Sequence, residues 1–160
     1  PMASLLSQRP TISQFWGLCQ QIPGGRRIFS RSLGRLAPYT GTIDCLVEEL
    51  RAGHSVVSMR DRHKVRNHLS SVHAIALMNL GEVSTGLAVL VGVDGRGRGI
   101  IKHLAMDYVK KARGTIVATC DVAVPDGPGS HDFEVEAILR DAEGAIVARA
   151  RAVWKIDIDR

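Results

Sequence analysis

The stretch SVHAIALMNLGEVSTGLAVLVGV, residues 71–93, decides how this chain can fold. It carries a single charge, Glu82, and is apolar on every side, and its length favours a helix because strands rarely exceed about ten residues. We expect a core helix rather than a membrane span, since polar residues interrupt it and a carboxylate at the bilayer centre costs roughly 2.5–3.5 kcal/mol. Ser70 or Ser71 is the expected N-cap.

Strand patterns lie on both sides of this helix. Before it, the sequence predicts two strands, at residues 42–51 and 55–60, joined by a turn at 52–54. After a flexible turn at 94–99, it predicts four more strands, at residues 100–109, 115–124, 133–140 and 146–156. The last strand has small residues on one face, which would let the helix lie close. Because no second helix follows, we predict an α+β fold in which one antiparallel sheet wraps around the long central helix.

The N-terminal part of the chain differs from the rest. Residues 12–21 have the pattern of a short helix, which a Pro-Gly-Gly break ends at residues 23–25. A basic stretch follows, made of Arg26, Arg27, Arg31 and Arg35. We therefore divide the chain into an N-terminal helical extension, residues 1–36, and the main domain, residues 37–160.

The composition limits the classes of function. The 160 residues, 45% of them hydrophobic, fit one compact core, and three separate cysteines outside any C-x-x-C pair indicate neither disulfides nor zinc. We therefore expect no metal and a reducing, cytoplasmic location. Residues 2–6 lack the flanking regions of a signal peptide. The net charge of +5 indicates an anionic partner, but aromatic residues are only 4%, which disfavours nucleic acid.

Glu82 is the candidate for chemistry. A carboxylate in an otherwise uncharged helix has to be desolvated, paired or at a water-filled site, and desolvation raises its pKa toward values useful for proton transfer. The alternative is a structural salt bridge to an arginine, from Arg96, Arg98 or the basic cluster at residues 60–66. The residues by themselves leave both interpretations open.

The spacing between His73 and Glu82 adds a constraint. Nine residues on a helix correspond to two and a half turns and roughly 13.5 Å of rise, so the two side chains cannot share a site on one helix. If both serve one reaction, they come from different copies of the chain, and the site lies at the interface of a homodimer, possibly within a dimer of dimers. Free N–H groups at the helix start would suit an oxyanion there.

Asn67, His73 and Glu82 form the pattern Asn-x5-His with an acidic residue nine positions later. With the predicted strand order and a Tyr-x5-Gly strand at residues 108–114, the pattern resembles the hot-dog thioesterases of the phenylacetyl-CoA type. The segments APYTG, VRNHLSSVHAIALMNLGE and DYVKKARGT are closer to a bacterial subgroup described as a domain of unknown function. The resemblance covers residues 37–160 and implies a hot-dog fold with acyl-CoA thioesterase activity.

The resemblance also implies a role for each residue. Glu82 would activate water or attack the thioester directly, Asn67 would position the water or the carbonyl, and the Ala74 N–H would form the oxyanion hole. His73 would have a positioning role. The substrate would be a coenzyme A thioester or an acyl-carrier thioester, and no cofactor is implied. The coenzyme A phosphates would meet a rim made of Tyr108, Lys110, Lys111 and Arg113.

Two departures from that family bear on activity. Ala74 and Ile75 replace the glycines that usually follow the histidine, and Ile101 stands where many relatives place Ser or Thr. These changes narrow the approach to the acyl carbonyl and remove a polar group. A non-catalytic acyl-ligand binding protein on the same fold is therefore the alternative. A dehydratase would need a histidine and an acid on one pocket wall, and the spacing of His73 and Glu82 disfavours that.

Overall fold

The computed structural model describes residues 10–159, so the expectation of no signal peptide at residues 2–6 lies outside the described residues. The helices within that range are α1 (Ile12–Gln20), α2 (Gly25–Leu36), α3 (Pro38–Gly41) and α4 (Ala74–Gly92). The strands are β1 (Leu46–Arg51), β2 (His54–Met59), β3 (Gly97–Tyr108), β4 (Ile116–Asp121), β5 (Gly129–Arg140) and β6 (Ile146–Ile158).

The six strands form one antiparallel sheet in the order β1-β2-β4-β5-β6-β3. The sheet curls so far that α4 contacts all six strands. The predicted α+β architecture, one antiparallel sheet wrapped around a long central helix, is confirmed. Among residues 10–159, β1 and β3 are the edge strands, and β3 leaves one side of a twelve-residue strand unpaired.

Small residues bring α4 into direct contact with β6. A Cβ atom on Gly81 would lie 2.5 Å from the Cβ of Ala150, and one on Gly86 would lie 3.1 Å from the ring of Trp154. The indole Nε1 of Trp154 donates to the hydroxyl of Thr85 at 3.3 Å. The prediction that the small face of the last strand lets the helix lie close is confirmed.

α4 is long and apolar enough to cross a membrane, but most of it is buried inside the sheet. Leu80, Ala88 and Val89 have no exposed surface, and the polar Ser84 and Thr85 are buried with them. Ser84 is satisfied there, since its hydroxyl lies 2.9 Å from that of Ser55. α4 is thus the core helix that the sequence predicts.

The N-cap of α4 is His73, so the prediction of Ser70 or Ser71 is wrong. Ser70 has a left-handed backbone with a φ of 54°, which takes it out of the helix start. Ser71 uses its hydroxyl to donate to Oδ1 of Asn67 at 3.1 Å. The Ser71 hydroxyl is therefore hydrogen-bonded within the loop and does not cap α4.

Two predicted boundaries of β3 are also wrong. Residues 97–99, expected in a turn, belong to the strand because Gly97 pairs with Ile158, and a Cβ on Gly97 would lie 2.2 Å from the Asp157 carbonyl oxygen. Residues 109–115 form a loop, so the strand predicted to end at residue 109 ends at Tyr108, and the Tyr-x5-Gly stretch at residues 108–114 is not a strand beyond Tyr108. The N–H groups of Val109 and Lys110 both donate to the carbonyl of Val147, at 2.9 and 3.3 Å, which ends the regular ladder.

Helices α1 and α2 pack against each other and cover the edge strand β1. Trp16 packs edge-on against Phe29 with ring centroids 5.0 Å apart, and α2 lies on β1. The carboxylate of Asp94, after α4, accepts from the Ser13 N–H at 2.7 Å and holds the start of α1. A helical N-terminal segment is therefore present from residue 12 onward, while the division of the chain at residue 36 stays a prediction.

Candidate active site

The loop from β2 to α4, residues 60–73, carries Asn67 and His73 to the mouth of the helix. Oδ1 of Asn67 accepts from the N–H groups of Leu69 and Ser71, at 2.9 and 3.2 Å, and the Asn67 N–H donates to the Ser71 carbonyl at 2.9 Å. The side-chain oxygen is thus occupied in closing the loop. Only the Asn67 Nδ2 group has no partner among the described residues and is available to a ligand.

His73 fixes the first turn of α4. Its Nδ1 accepts from the Ile75 N–H at 3.0 Å, so in the neutral ring the proton sits on Nε2. Its own N–H donates to the Val65 carbonyl at 2.7 Å, which ties the cap to the loop. The side chain is exposed at the helix start. His73 therefore caps α4 and ties its first turn to the loop, while its positioning role in a reaction stays a prediction.

The Ala74 N–H, at the positive end of α4, has no acceptor among residues 10–159. It is the kind of free helix-start donor that stabilises an anion. On the other side of the same residue, the Tyr108 hydroxyl donates to the Ala74 carbonyl at 2.9 Å. Burial raises the pKa of Tyr108, which keeps the hydroxyl protonated as a donor. Two residues predicted for different parts of the site are therefore in contact.

Glu82 lies about two and a half turns of α4 beyond His73, on the partly exposed side of the helix. It forms no salt bridge to Arg96, Arg98 or any other described basic residue, and its carboxylate has no hydrogen-bond donor among residues 10–159. Arg96 donates instead to the carbonyls of Gly92 and Asp126. Desolvation by burial raises the pKa of Glu82. The structural salt bridge considered for Glu82 is absent from the described part of the chain.

Within one chain, the structure joins His73, Ala74 and Tyr108 but leaves Glu82 apart from them. α4 runs antiparallel along the edge strand, with Ala74 at Tyr108, Gly81 against Met106 and Leu90 against Gly99. Glu82 lies near the middle of this edge. The helix start and the carboxylate are thus two separate halves of the predicted site.

The predicted basic rim is only partly free. Nζ of Lys110 lies 2.6 Å from the carboxylate of Asp141, and this contact is the largest cause of the lowered pKa of Asp141. Lys111 and Arg113 are exposed and make no ion pair within residues 10–159. Arg113 also lies near Asp61, which accepts from the Gly114 N–H at 3.0 Å. Lys111 and Arg113, the two cations without an ion pair, therefore lie on a loop that the Lys110–Asp141 and Gly114–Asp61 contacts hold in place.

The cysteines are core residues. All three are buried free thiols, and burial is the largest cause that raises the pKa of Cys45 to about 11 and that of Cys120 to about 12. A protonated thiol is a poor nucleophile, so neither is suited to covalent catalysis. No group of three or more His, Cys, Asp or Glu residues placed to hold a metal occurs within residues 10–159.

Sequence reasoning missed the residues that line the open side of α4 around Glu82. Ile75 is 49% exposed, and Met78 and Leu90 are half-buried on the same side of the helix. The only sequence signal was their spacing from Glu82 along the helix, which cannot be separated from the core positions in a segment that is apolar all round. They are apolar residues on the side of α4 that carries Glu82.

The wrapped sheet and the central helix define a hot-dog fold. The chain belongs to the family described as domain of unknown function DUF4442, which matches residues 25–156. This confirms the resemblance to that subgroup. No curated protein matches the chain in sequence.

Solved structures share the fold. A structural-genomics crystal structure superimposes with a TM-score of 0.79 at 28% identity, covering 92% of this chain and 98% of the other. A Pseudomonas aeruginosa protein of unknown function, called a probable thioesterase, has a TM-score of 0.70 at 21% identity and coverages of 86% and 97%. A Staphylococcus aureus thioesterase variant has a TM-score of 0.66 at 18% identity and coverages of 75% and 98%. The hot-dog fold prediction is confirmed.

Proposed function

We propose that this protein hydrolyses an acyl-CoA or related acyl-carrier thioester at a site shared by two copies of the chain. The observation that carries the proposal is Glu82, a half-buried carboxylate without a counter-ion among the described residues, in the centre of a buried helix. Keeping an unpaired carboxyl group there costs stability, so a chemical role is the better explanation. The thioesterase names of structures with the same fold support the reaction class.

In the proposed reaction, Glu82 either takes a proton from water that attacks the thioester carbonyl or attacks that carbon itself. Both routes give a tetrahedral intermediate with a negative oxygen, which the Ala74 N–H at the start of the other helix would stabilise. His73 holds this N–H in place through its cap. If water attacks, the C–S bond breaks, the thiolate takes up the proton that Glu82 removed from the water, and the acid is released. If Glu82 attacks, the C–S bond breaks to leave an acyl anhydride on Glu82. Water then hydrolyses this anhydride, which releases the acid and restores the carboxylate, and the proton from that water goes to the thiolate.

The second copy is required because Glu82 and Ala74 of one chain are separated by two turns of α4. The unpaired side of β3 is the surface that would bring the copies together, since a long open edge strand is a template for pairing. Ile100 on this strand is 63% exposed. Antiparallel pairing of two β3 strands would place the helix start of one copy toward the carboxylate of the other. A dimer of dimers is compatible with the same edge contact.

The phosphate end of the substrate would lie on the rim beside Tyr108. Lys111 and Arg113 are its free cations, while Asp141 already neutralises Lys110. The Nδ2 group of Asn67 would donate to the bound water or to the thioester carbonyl. We keep the cytoplasm as the proposed location because the three cysteines are free thiols.

The direct test is a hydrolysis screen over acyl-CoA esters of different chain length and type, with Glu82→Gln as the inactive variant. Glu134→Gln, an exposed residue on β5, is the matched control for the same chemical change. We expect the screen to identify at least one substrate, with Glu82→Gln at least about a hundredfold slower, the usual size of a general-base contribution. Full hydrolysis by a folded Glu82→Gln dimer would exclude the mechanism.

The alternative, a non-catalytic acyl-ligand binder, is favoured by one observation. The Oδ1 atom of Asn67 is bound to its own loop, and Ile101 supplies no hydroxyl, so only a few polar groups face the carbonyl. Tight binding of acyl-CoA esters by calorimetry, without turnover of any ester in the panel, would establish the binder.

A further inference from the structure

A cleft lies between α2 and the sheet, away from the mouth of α4. It has a volume of about 500 Å³ and is bounded by α2, the start of β1, the end of β2 and the residue before β4. Three arginine residues line it, Arg27 and Arg31 on α2 and Arg60 after β2. Arg27 and Arg31 are four positions apart and therefore lie on one face of the helix.

The charges of the cleft do not cancel. It contains two carboxylates, but Glu48 already pairs with Arg26 at 3.2 Å and Asp44 with Arg62 at 3.5 Å, so each has a partner that does not line the cleft. Arg27, Arg31 and Arg60 form no ion pair within residues 10–159. The cleft therefore presents three uncompensated positive charges.

Helix α2, which carries Arg27 and Arg31, is held in place against β1. The hydroxyl of Ser30, between Arg27 and Arg31 on α2, donates to the Arg26 carbonyl at 2.7 Å and accepts from the Val47 N–H of β1 at 2.9 Å. This buried bridge sets the position of α2 along β1. The backbone that carries Arg27 and Arg31 is therefore held in place, which reduces the entropy that a bound ligand would have to remove from α2.

We propose that Arg27, Arg31 and Arg60 form an anion site for a diphosphate or phosphate-ester group, separate from the rim beside Tyr108. Guanidinium groups bind phosphate oxygens through paired, charge-assisted hydrogen bonds, and three of them around one cavity match a doubly charged group. A volume of about 500 Å³ holds a diphosphate together with part of the molecule that carries it. The site does not depend on the proposed hydrolysis.

The test is calorimetric titration of the full chain with inorganic pyrophosphate. We expect salt-dependent binding that weakens tenfold or more in the double variant Arg27→Gln/Arg31→Gln, because two charge-assisted contacts are lost. Arg51→Gln, at the opposite end of β1, removes one exposed arginine outside the cleft and should bind within twofold of the original. Equal melting temperatures would show that the variants are folded. Absence of pyrophosphate binding, or equal binding by the double variant, overturns the proposal.

Two further arms identify the source of the phosphate. If coenzyme A competes with pyrophosphate and pantetheine, which lacks phosphate, does not, the site is assigned to a nucleotide phosphate. Phosphatidylglycerol vesicles that bind the original protein but not the double variant, with no binding to phosphatidylcholine vesicles, assign it to a lipid headgroup. The proposed site would be overturned if the double variant still bound the vesicles and the original protein did not bind pyrophosphate. The vesicles would then be attracted by basic residues elsewhere on the surface.

Discussion

The hydroxyl of Tyr108 donates a hydrogen bond of 2.9 Å to the carbonyl oxygen of Ala74. This contact joins the end of the edge strand β3 to the first residue of α4. It anchors the residue whose N–H is the proposed oxyanion donor. In the proposed pairing of two β3 edges, this contact would link the paired strand to the helix start.

Tyr108→Phe removes this contact and little else. We expect the free energy of unfolding to fall by about 1 kcal/mol, the usual net value of one hydrogen bond, in urea titrations. The proposed site predicts in addition a lower kcat with a smaller change in KM. An unchanged kcat in a destabilised variant would limit Tyr108 to a structural role.

His73→Ala should destabilise the protein by about 1 kcal/mol because it removes the cap of α4. His73→Ser restores a capping oxygen and should recover most of that stability in the same urea titration. If His73 only positions the helix start, His73→Ser also recovers most of the hydrolysis rate. A serine variant that is stable but inactive would assign the imidazole a direct role in proton transfer.

Gly81→Ala tests the close packing of α4 on β6. The added methyl group would lie 2.5 Å from the Cβ of Ala150, so we expect a loss of about 1–3 kcal/mol in the free energy of unfolding. Gly17→Ala in α1 meets nothing within 4 Å and should stabilise the protein by about 0.5–1 kcal/mol. Equal effects at the two positions would contradict the described packing.

The raised pKa of Glu82 has two consequences with the same cause. The carboxylate form is lost as pH falls, so kcat/KM should decline through a pKa above the ordinary value of 4.5. The folded state holds the proton more tightly than the unfolded state, so this group stabilises the fold below the unfolded pKa and loses that contribution as pH rises. Glu82→Gln should therefore melt higher than the original protein at neutral pH, with the difference closing in acid. The opposite order at neutral pH would indicate a counter-ion in solution.

Ile100→Asp tests the proposed pairing of two β3 edges. In a two-fold contact it places like charges on both copies, so we expect the dimer dissociation constant to rise tenfold or more in light-scattering measurements. Ile28→Asp, on the exposed side of α2, is the control and should leave the oligomeric state unchanged. A monomer that retains full hydrolysis would refute the shared site.

The sequence predicts the main elements because each has a local cause. The helix of residues 74–92 is too long and too apolar for a strand, and the alternation in β5 and β6 follows from one face being buried. The errors occur where contacts between distant residues decide. Gly97 joins the sheet only because Ile158 pairs with it, and Ser71 is lost as a cap because Asn67 takes its hydroxyl.

For the site, the sequence identifies Glu82 as the one charge in an apolar helix and the helix start as a source of free N–H groups, but it leaves open whether Glu82 forms a salt bridge. It cannot place Tyr108 against Ala74, which are 34 residues apart and meet only after β3 returns along α4. It also cannot tell that Asp141 neutralises Lys110, since those residues lie on neighbouring loops of the folded sheet. Which cations remain free for a phosphate is decided by packing and not by composition.

The contact of Gly81 and Gly86 with β6 also limits how this protein can evolve. At these two positions α4 has no side chain of its own and already lies against Ala150 and Trp154, so its backbone cannot move closer to the sheet to enlarge the space at Glu82. Under the proposed function, a change of acyl preference would have to come from the open side of the helix, by exchange of Ile75 or Met78. Related proteins that act on different substrates would then keep Gly81 and Gly86 and differ at the positions of Ile75 and Met78.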